Sequence, residues 1–192
     1  MTLLIAGLLL FLGVHSVRIV AEEFRLRQIA RLGAIGWKGV YTVASIVGLA
    51  LVIWGYGLAR QHPVALWPTP VWLRHLAAPL ILVSFVFIAA AYVPGNGIKA
   101  RLHHPMVLGV KVWALAHLIA NNTLADLLLF GSFLLWAVFS FRAARARDRA
   151  VGTRYAPGSV SRTVATTAIG IGAWAAFMFW GHAALIGVRP LG

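Results

Sequence analysis

A chain of 192 residues that is 61% apolar and only 11% charged, with a mean hydropathy of +0.86, cannot hide its apolar excess inside a water-soluble domain. The net charge of +13 would suggest nucleic acid in a soluble protein, but here the basic residues fall in short segments between apolar runs. That is the pattern of membrane topology and of contact with anionic lipid headgroups, so no nucleic-acid partner is expected. The absence of cysteine excludes disulfides, thiolate ligands and iron–sulfur clusters.

The expected fold class is all-α, a polytopic membrane helix bundle of about six transmembrane helices in a single domain over residues 1–192. About twenty apolar residues are needed to cross the hydrocarbon core. The first span covers 2–20. Its sequence, MTLLIAGLLLFLGVHSV, lacks a basic start and a small-residue cleavage site, so it reads as a retained helix. Residues 22–38 carry Arg25, Arg27, Arg31 and Lys38 and read as a basic loop or surface helix. A second span covers 37–58. In RQHPVALWPTPVW, Pro63, Pro68 and Pro70 forbid a continuous helix, while Trp67 and Trp72 suit the membrane interface.

The third span, 72–93, ends at the breaker Pro94-Gly95-Asn96-Gly97. The fourth, 105–120, starts on a proline, whose missing N–H is harmless at the first helical position. Asn121 and Asn122 make a turn, and Thr123 is placed to cap a fifth helix over 124–141. A highly basic stretch, RAARARDRAVGTRYAPGSVSR, separates this from the sixth span, 163–188. Counted loop by loop, basic residues concentrate between the first and second, third and fourth, and fifth and sixth spans, leaving only Arg60, Arg74 and Arg189 for the other side. The positive-inside rule then puts the basic loops in the cytoplasm and both termini outside, as expected for a multi-pass protein of a bacterial inner membrane.

Seven histidines are the candidate chemistry. His62 and His75 fall in or beside the outer loop, and His103 and His104 at the entrance of the fourth span. His15, His117 and His182 lie in apolar segments, where an ionisable side chain is costly and by default a functional candidate. A rise of about 1.5 Å per residue puts His117 roughly 18 Å beyond Pro105. Met106, Val110, Trp113 and His117 follow +4, +3, +4 spacing and form one stripe, and Gly109 allows a second helix or a flat ligand to approach. His15 has Arg18 one turn away, an arrangement suited to a haem with its iron on the imidazole and a propionate near the guanidinium. It suits equally a histidine bonded within the bundle and a snorkelling arginine. On depth, His117 is better matched with His182. Imidazoles from facing helices are a common haem cage, whereas a closed zinc site needs four ligands, and no carboxylate or thiol lies nearby in sequence.

Taken together, HSVR at 15–18, GWKGVY at 36–41, WGYGLAR at 54–60, HHPMVLGVKVWALAHLIAN at 103–121 and LIGVRP at 185–190 resemble the NnrU family nearly end to end. The resemblance implies a small multi-pass inner-membrane protein linked to denitrification and to nitric oxide or nitrite metabolism. The plant zeta-carotene isomerase carries a related domain and is a haem b protein whose histidine-ligated iron acts in a redox-gated cis–trans isomerisation of a hydrophobic polyene. By that resemblance the two ligands fall on His15 and His117. The isomerase has a cysteine where this chain has Ala114, which departs from the pattern. Haem b is thus the expected cofactor, with His15, Arg18, Trp113, His117 and His182 as its candidate binding residues. The resemblance makes His15 and His117 the expected iron ligands, with His182 in reserve. An enzymatic role would be that of a haem-dependent isomerase or redox protein. Two other readings compete. One is a non-enzymatic membrane partner that assembles or regulates a denitrification reductase; a second membrane protein or another copy of this chain is the expected protein partner. In the other, HHPMVLG resembles the basic-His-Pro motif of S-adenosylmethionine-dependent membrane methyltransferases; those also use a downstream acid, and here Asp126 lies at the opposite side and Asp148 in a basic loop.

Overall fold

The computed structural model describes residues 1–190, all helix and connecting segments with no strand among them. The helices are α1 (Thr2–Val20), α2 (Glu22–Ala59), α3 (Val71–Tyr92), α4 (Gly97–Leu102), α5 (Pro105–Ala120), α6 (Leu124–Val151), α7 (Val160–Ala176) and α8 (His182–Ile186), with a π-helical turn at Phe177–Gly181 joining the last two. Five segments are long and apolar enough to cross a membrane: α1, α2, α3, α6 and the continuous run Val160–Ile186. The expected fourth span, α5, is apolar but has only 16 residues. Large apolar side chains are exposed along these helices, such as Leu9 at 71% and Trp54 at 62%, which is reasonable only where lipid replaces water.

Two expected boundaries move. Residues 22–38 belong to α2, which runs for 38 residues and breaks direction at Gly33 (φ 73°, ψ 164°). A Cβ disfavours that positive φ, so a glycine at this point lets a basic surface helix join the second span without a loop. Likewise α6 continues through the basic stretch to Val151 instead of stopping near residue 141. Its arginines are good helix formers, and helical hydrogen bonding does not depend on lipid.

Contacts gather the chain into two units: residues 1–67 with 122–140, and residues 68–121 with 141–192. In the first unit α1 lies directly on the backbone of α2. A Cβ on Gly55 would stand 2.3 Å from Leu4 N, one on Gly7 2.5 Å from Val52 N, and one on Gly48 2.8 Å from Phe11 N. Small residues at a membrane helix contact allow this approach, and close van der Waals packing then supplies the attraction that water would supply in a soluble protein. Residues 64–66 pair with 122–124 through Leu66 N–H to Asn122 O and Leu124 N–H to Val64 O, both 2.9 Å. Thr123 caps α6 as expected: its Oγ1 accepts from Asp126 N–H (3.2 Å), and Asp126 Oδ2 accepts from Thr123 N–H (3.0 Å). Asp126 Oδ1 also accepts from Tyr56 OH (2.5 Å), so this buried acid is structural.

In the second unit α3 contacts both α5 and α7. Ser84 Oγ donates to Gly109 O (2.8 Å), and a Cβ on Gly109 would meet Ile88 Cγ1 at 2.9 Å. Gly109 therefore admits a neighbouring helix, the first of its two expected uses. Gly170 of α7 meets Val86 in the same way. Asn96, 1% exposed, holds the α3–α4 corner: Oδ1 accepts from Lys99 N–H (2.8 Å), and Nδ2 donates to Ala90 O (2.9 Å) and Val93 O (2.5 Å). Every polar atom of a buried amide needs such a partner.

Candidate functional site

The second unit contains a partly open cavity of about 510 Å³. Its wall is built from three helices: Ala77, Ile81, Ser84, Phe85 and Ile88 of α3, Val110, Trp113 and His117 of α5, and Trp174 of α7, continued by Phe177 and Met178 of the π turn and by His182. The stripe expected on the fourth span is thus partly on the cavity wall, through Val110, Trp113 and His117. The π turn was not legible in AAFMFWGHAAL. By adding a residue to one turn it shifts the phase of the helix, and such turns are often found at functional sites. Gly187 in the left-handed conformation (φ 74°) then ends α8, and Val188, Arg189 and Pro190 also line the cavity.

The two histidines in this wall share one electronic state. His117 Nδ1 lies 2.9 Å from Trp113 O, and His182 Nδ1 lies 2.7 Å from Val188 O. A carbonyl oxygen can only accept, so each Nδ1 carries its proton, and in the neutral ring the basic lone pair belongs to Nε2. This is the tautomer a metal-ligating histidine adopts when its other nitrogen is oriented by a second partner. The Trp113 ring stands beside His117, centroids 5.2 Å apart at 50°, which further restricts the imidazole. Trp174 adds an unmet demand: its Nε1–H is buried and has no hydrogen-bond partner among the described residues. No group of three or more His, Cys, Asp or Glu side chains with metal-site geometry exists among the described residues. A ligand that brings its own nitrogens to the iron needs only one or two imidazoles from the protein, so the donor set here fits haem and does not fit a closed zinc cage.

His15 and Arg18 belong to the first unit. His15 is half-buried, its Nδ1–H donating to Phe11 O (2.7 Å), with Phe11, Tyr41 and Trp136 around its ring at centroid distances of 4.2, 5.1 and 6.0 Å. It shares the Nδ1–H tautomer, and the neighbouring Trp136 Nε1 is another buried donor with no hydrogen-bond partner among the described residues. Arg18 is exposed. His62 and His75 are exposed as expected.

His103 and His104 are less plain than a helix entrance. Leu102 O accepts from His104 N–H (2.9 Å) across His103 at φ 69°, ψ −51°, a three-residue turn with the rare positive φ. A non-glycine residue held there stores strain of about 1–3 kcal/mol and persists only where its surroundings over-determine it. The surroundings are plain. The His103 ring stacks on Tyr155 (4.1 Å, 12°), Arg145 donates to His103 Nδ1, His104 Nε2 meets Asp148 Oδ2 (2.8 Å), and Tyr155 OH donates to the same oxygen (2.9 Å). Asp148 therefore sits on His104, although its place in a basic stretch had counted against it as the acid of the His-Pro motif. The signal that would have found it is the continuous helix through residues 142–151, which carries Asp148 and Arg145 on one turn.

Partial burial raises the Asp148 carboxyl, but the hydrogen bonds from Tyr155 and His104 and the nearby histidine charge outweigh it, leaving the pKa below the ordinary 3.8. Burial and the bond to Asp148 push the Tyr155 phenol up. A depressed carboxyl contributes stability at pH values above its unfolded pKa and loses it only as pH falls through the folded one. Wild type is thus expected to unfold at a higher temperature than Asp148→Asn in detergent at pH 7, with the gap persisting to about pH 4 and closing in stronger acid. Closure above pH 5 would contradict this assignment.

An all-helical chain with several membrane-crossing helices, small-residue helix contacts and an apolar cavity bearing paired histidines is a polytopic membrane protein. Residues 3–190 match the family described as NnrU protein, and the chain belongs to that family. No curated protein and no solved structure matches it.

Proposed function

We propose that this NnrU-family protein is a haem b protein of a bacterial inner membrane, its basic segments on the cytoplasmic side, with the cofactor in the cavity of the second unit. The observation that carries the reading is the presence of two imidazoles, His117 and His182, on the wall of one apolar cavity, each with Nδ1–H committed to a backbone carbonyl. His117 Nε2 is the favoured iron ligand, and His182 is its partner in preference to His15, because His117 and His182 line the same cavity. Trp113 supplies both the carbonyl and the ring that hold His117 in place, and the aliphatic and aromatic wall would offer the porphyrin an apolar bed.

When bound, haem would supply a one-electron centre able to take a small diatomic or to polarise an alkene. The family points to nitrogen-oxide metabolism. Isomerisation of a hydrophobic polyene is the second reading, favoured by a wall rich in Phe and Trp. The test is the absorption spectrum of protein purified from haem-replete cells. A Soret band that shifts on reduction is expected, and its absence in folded, haem-reconstituted protein would sink the proposal.

A further inference from the structure

We infer that the cavity of the second unit takes its ligand in one orientation, with an anionic head held by Arg74 and Arg189 and an apolar body running inward past His117 and Trp174. The inference rests on the proposed cavity ligand but not on iron. Arg74 and Arg189 are the only permanently charged side chains among the cavity-lining residues. They lie at one end of it: Arg74 is in the first turn of α3, and α7, which starts where Asn96 pairs with Ser159 and packs Gly170 on Val86, runs back along α3 and brings Arg189, just beyond α8, to that same end. Neither has an ion-pair partner among the described residues. Of the four acids in the chain, Asp126 and Asp148 are held by Thr123 and Tyr56 and by His104 and Tyr155, Glu22 by Arg25, and Glu23 belongs to the first turn of α2 in the first unit.

Two unpaired guanidiniums at the mouth of an apolar cavity favour a bidentate anion, and an anion enters such a cavity only where a charged donor compensates its lost hydration. A ligand with carboxylates at one edge and an apolar ring or chain beyond them meets that demand and the apolar wall together, whereas a wholly apolar polyene leaves the guanidiniums unmatched. Arginines that merely reach for the membrane edge would show no such preference.

The decisive probe is iron-free protoporphyrin IX, compared with its dimethyl ester, titrated into purified full-length protein in detergent and followed by tryptophan quenching. Wild type is expected to bind the diacid about tenfold tighter than the diester, the worth of one charge-assisted contact. The preference is expected to vanish in the Arg74→Gln/Arg189→Gln double variant and to survive in Arg74→Lys/Arg189→Lys, which separates lost charge from lost fold. Equal binding of acid and ester by wild type, or a preference unchanged in the glutamine variant, overturns the inference. Because the probe carries no iron, a diacid preference without a His117-dependent haem spectrum would overturn the haem reading alone. A haem spectrum without the preference would overturn only the orientation proposed here.

Discussion

Gly55→Ala is expected to unfold the first unit's helix pair at a markedly lower temperature than wild type, by about 1–3 kcal/mol or more. The added methyl would lie 2.3 Å from Leu4 N and 2.7 Å from Leu3 C, both backbone atoms that no rotamer change can move. Leu4 is itself fully buried, so relief requires α1 to shift off α2 along its whole length and to lose the parallel contacts at Gly7 and Gly48. The control lies two residues away. Gly57 has nothing within 4 Å of a Cβ, and Gly57→Ala exchanges a poor helix former for the best one, so it should be neutral or stabilising by up to about 1 kcal/mol. Thermal unfolding of the two variants in the same detergent checks the assignment. Equal stabilities would contradict the backbone-to-backbone approach of α1 and α2.

His117→Ala is the second large effect: under the haem proposal it should reduce the Soret band of reconstituted protein to less than about a tenth of wild type. Removing the ligand leaves an apolar cavity with no imidazole at that point, and adventitious binding is weak without an iron–nitrogen bond. His182→Ala should instead leave haem bound but change its spin state, since the part-buried His117, held by the Trp113 carbonyl and ring, would remain, whereas His182 is the more exposed of the two imidazoles. His15→Ala should have no spectral effect if the cavity of the second unit holds the cofactor by itself. A spectrum altered by His15→Ala and untouched by His182→Ala would return the second ligand to His15, as the resemblance implies. Exogenous imidazole restoring the band in His117→Ala would separate a missing ligand from a damaged fold.

Much of the architecture was legible because lipid imposes simple demands. Long apolar runs must be helices, since every backbone N–H and C=O needs a partner inside the segment. Proline and glycine mark where those runs stop, so α5 starts at Pro105 and ends at Ala120 as the sequence indicates, and Thr123 caps the next helix. Where reading failed, local rules were silent. Gly33 joins two helical stretches in a conformation that single-sequence periodicity reads as a loop. The basic residues after Phe141 look like a loop because charge excludes them from lipid, yet charge does not exclude them from a helix.

The histidines divide in the same way. Apolar surroundings single out His15, His117 and His182 from sequence alone, because an imidazole in an apolar span is costly and by default a functional candidate. Which of them share a wall, which tautomer each holds and which cations stand at the mouth depend on contacts between residues far apart in the chain. His117 meets His182 in one cavity only because α5 and α7 both contact α3 and a π turn resets the helix phase just before His182. Asp148 reaches His104 across 44 residues, and no local pattern encodes that pairing. Hydropathy and helix punctuation act over a few residues and were decided by the sequence. The cavity, its tautomers and its charged rim depend on the register between packed helices, which only the tertiary structure decided.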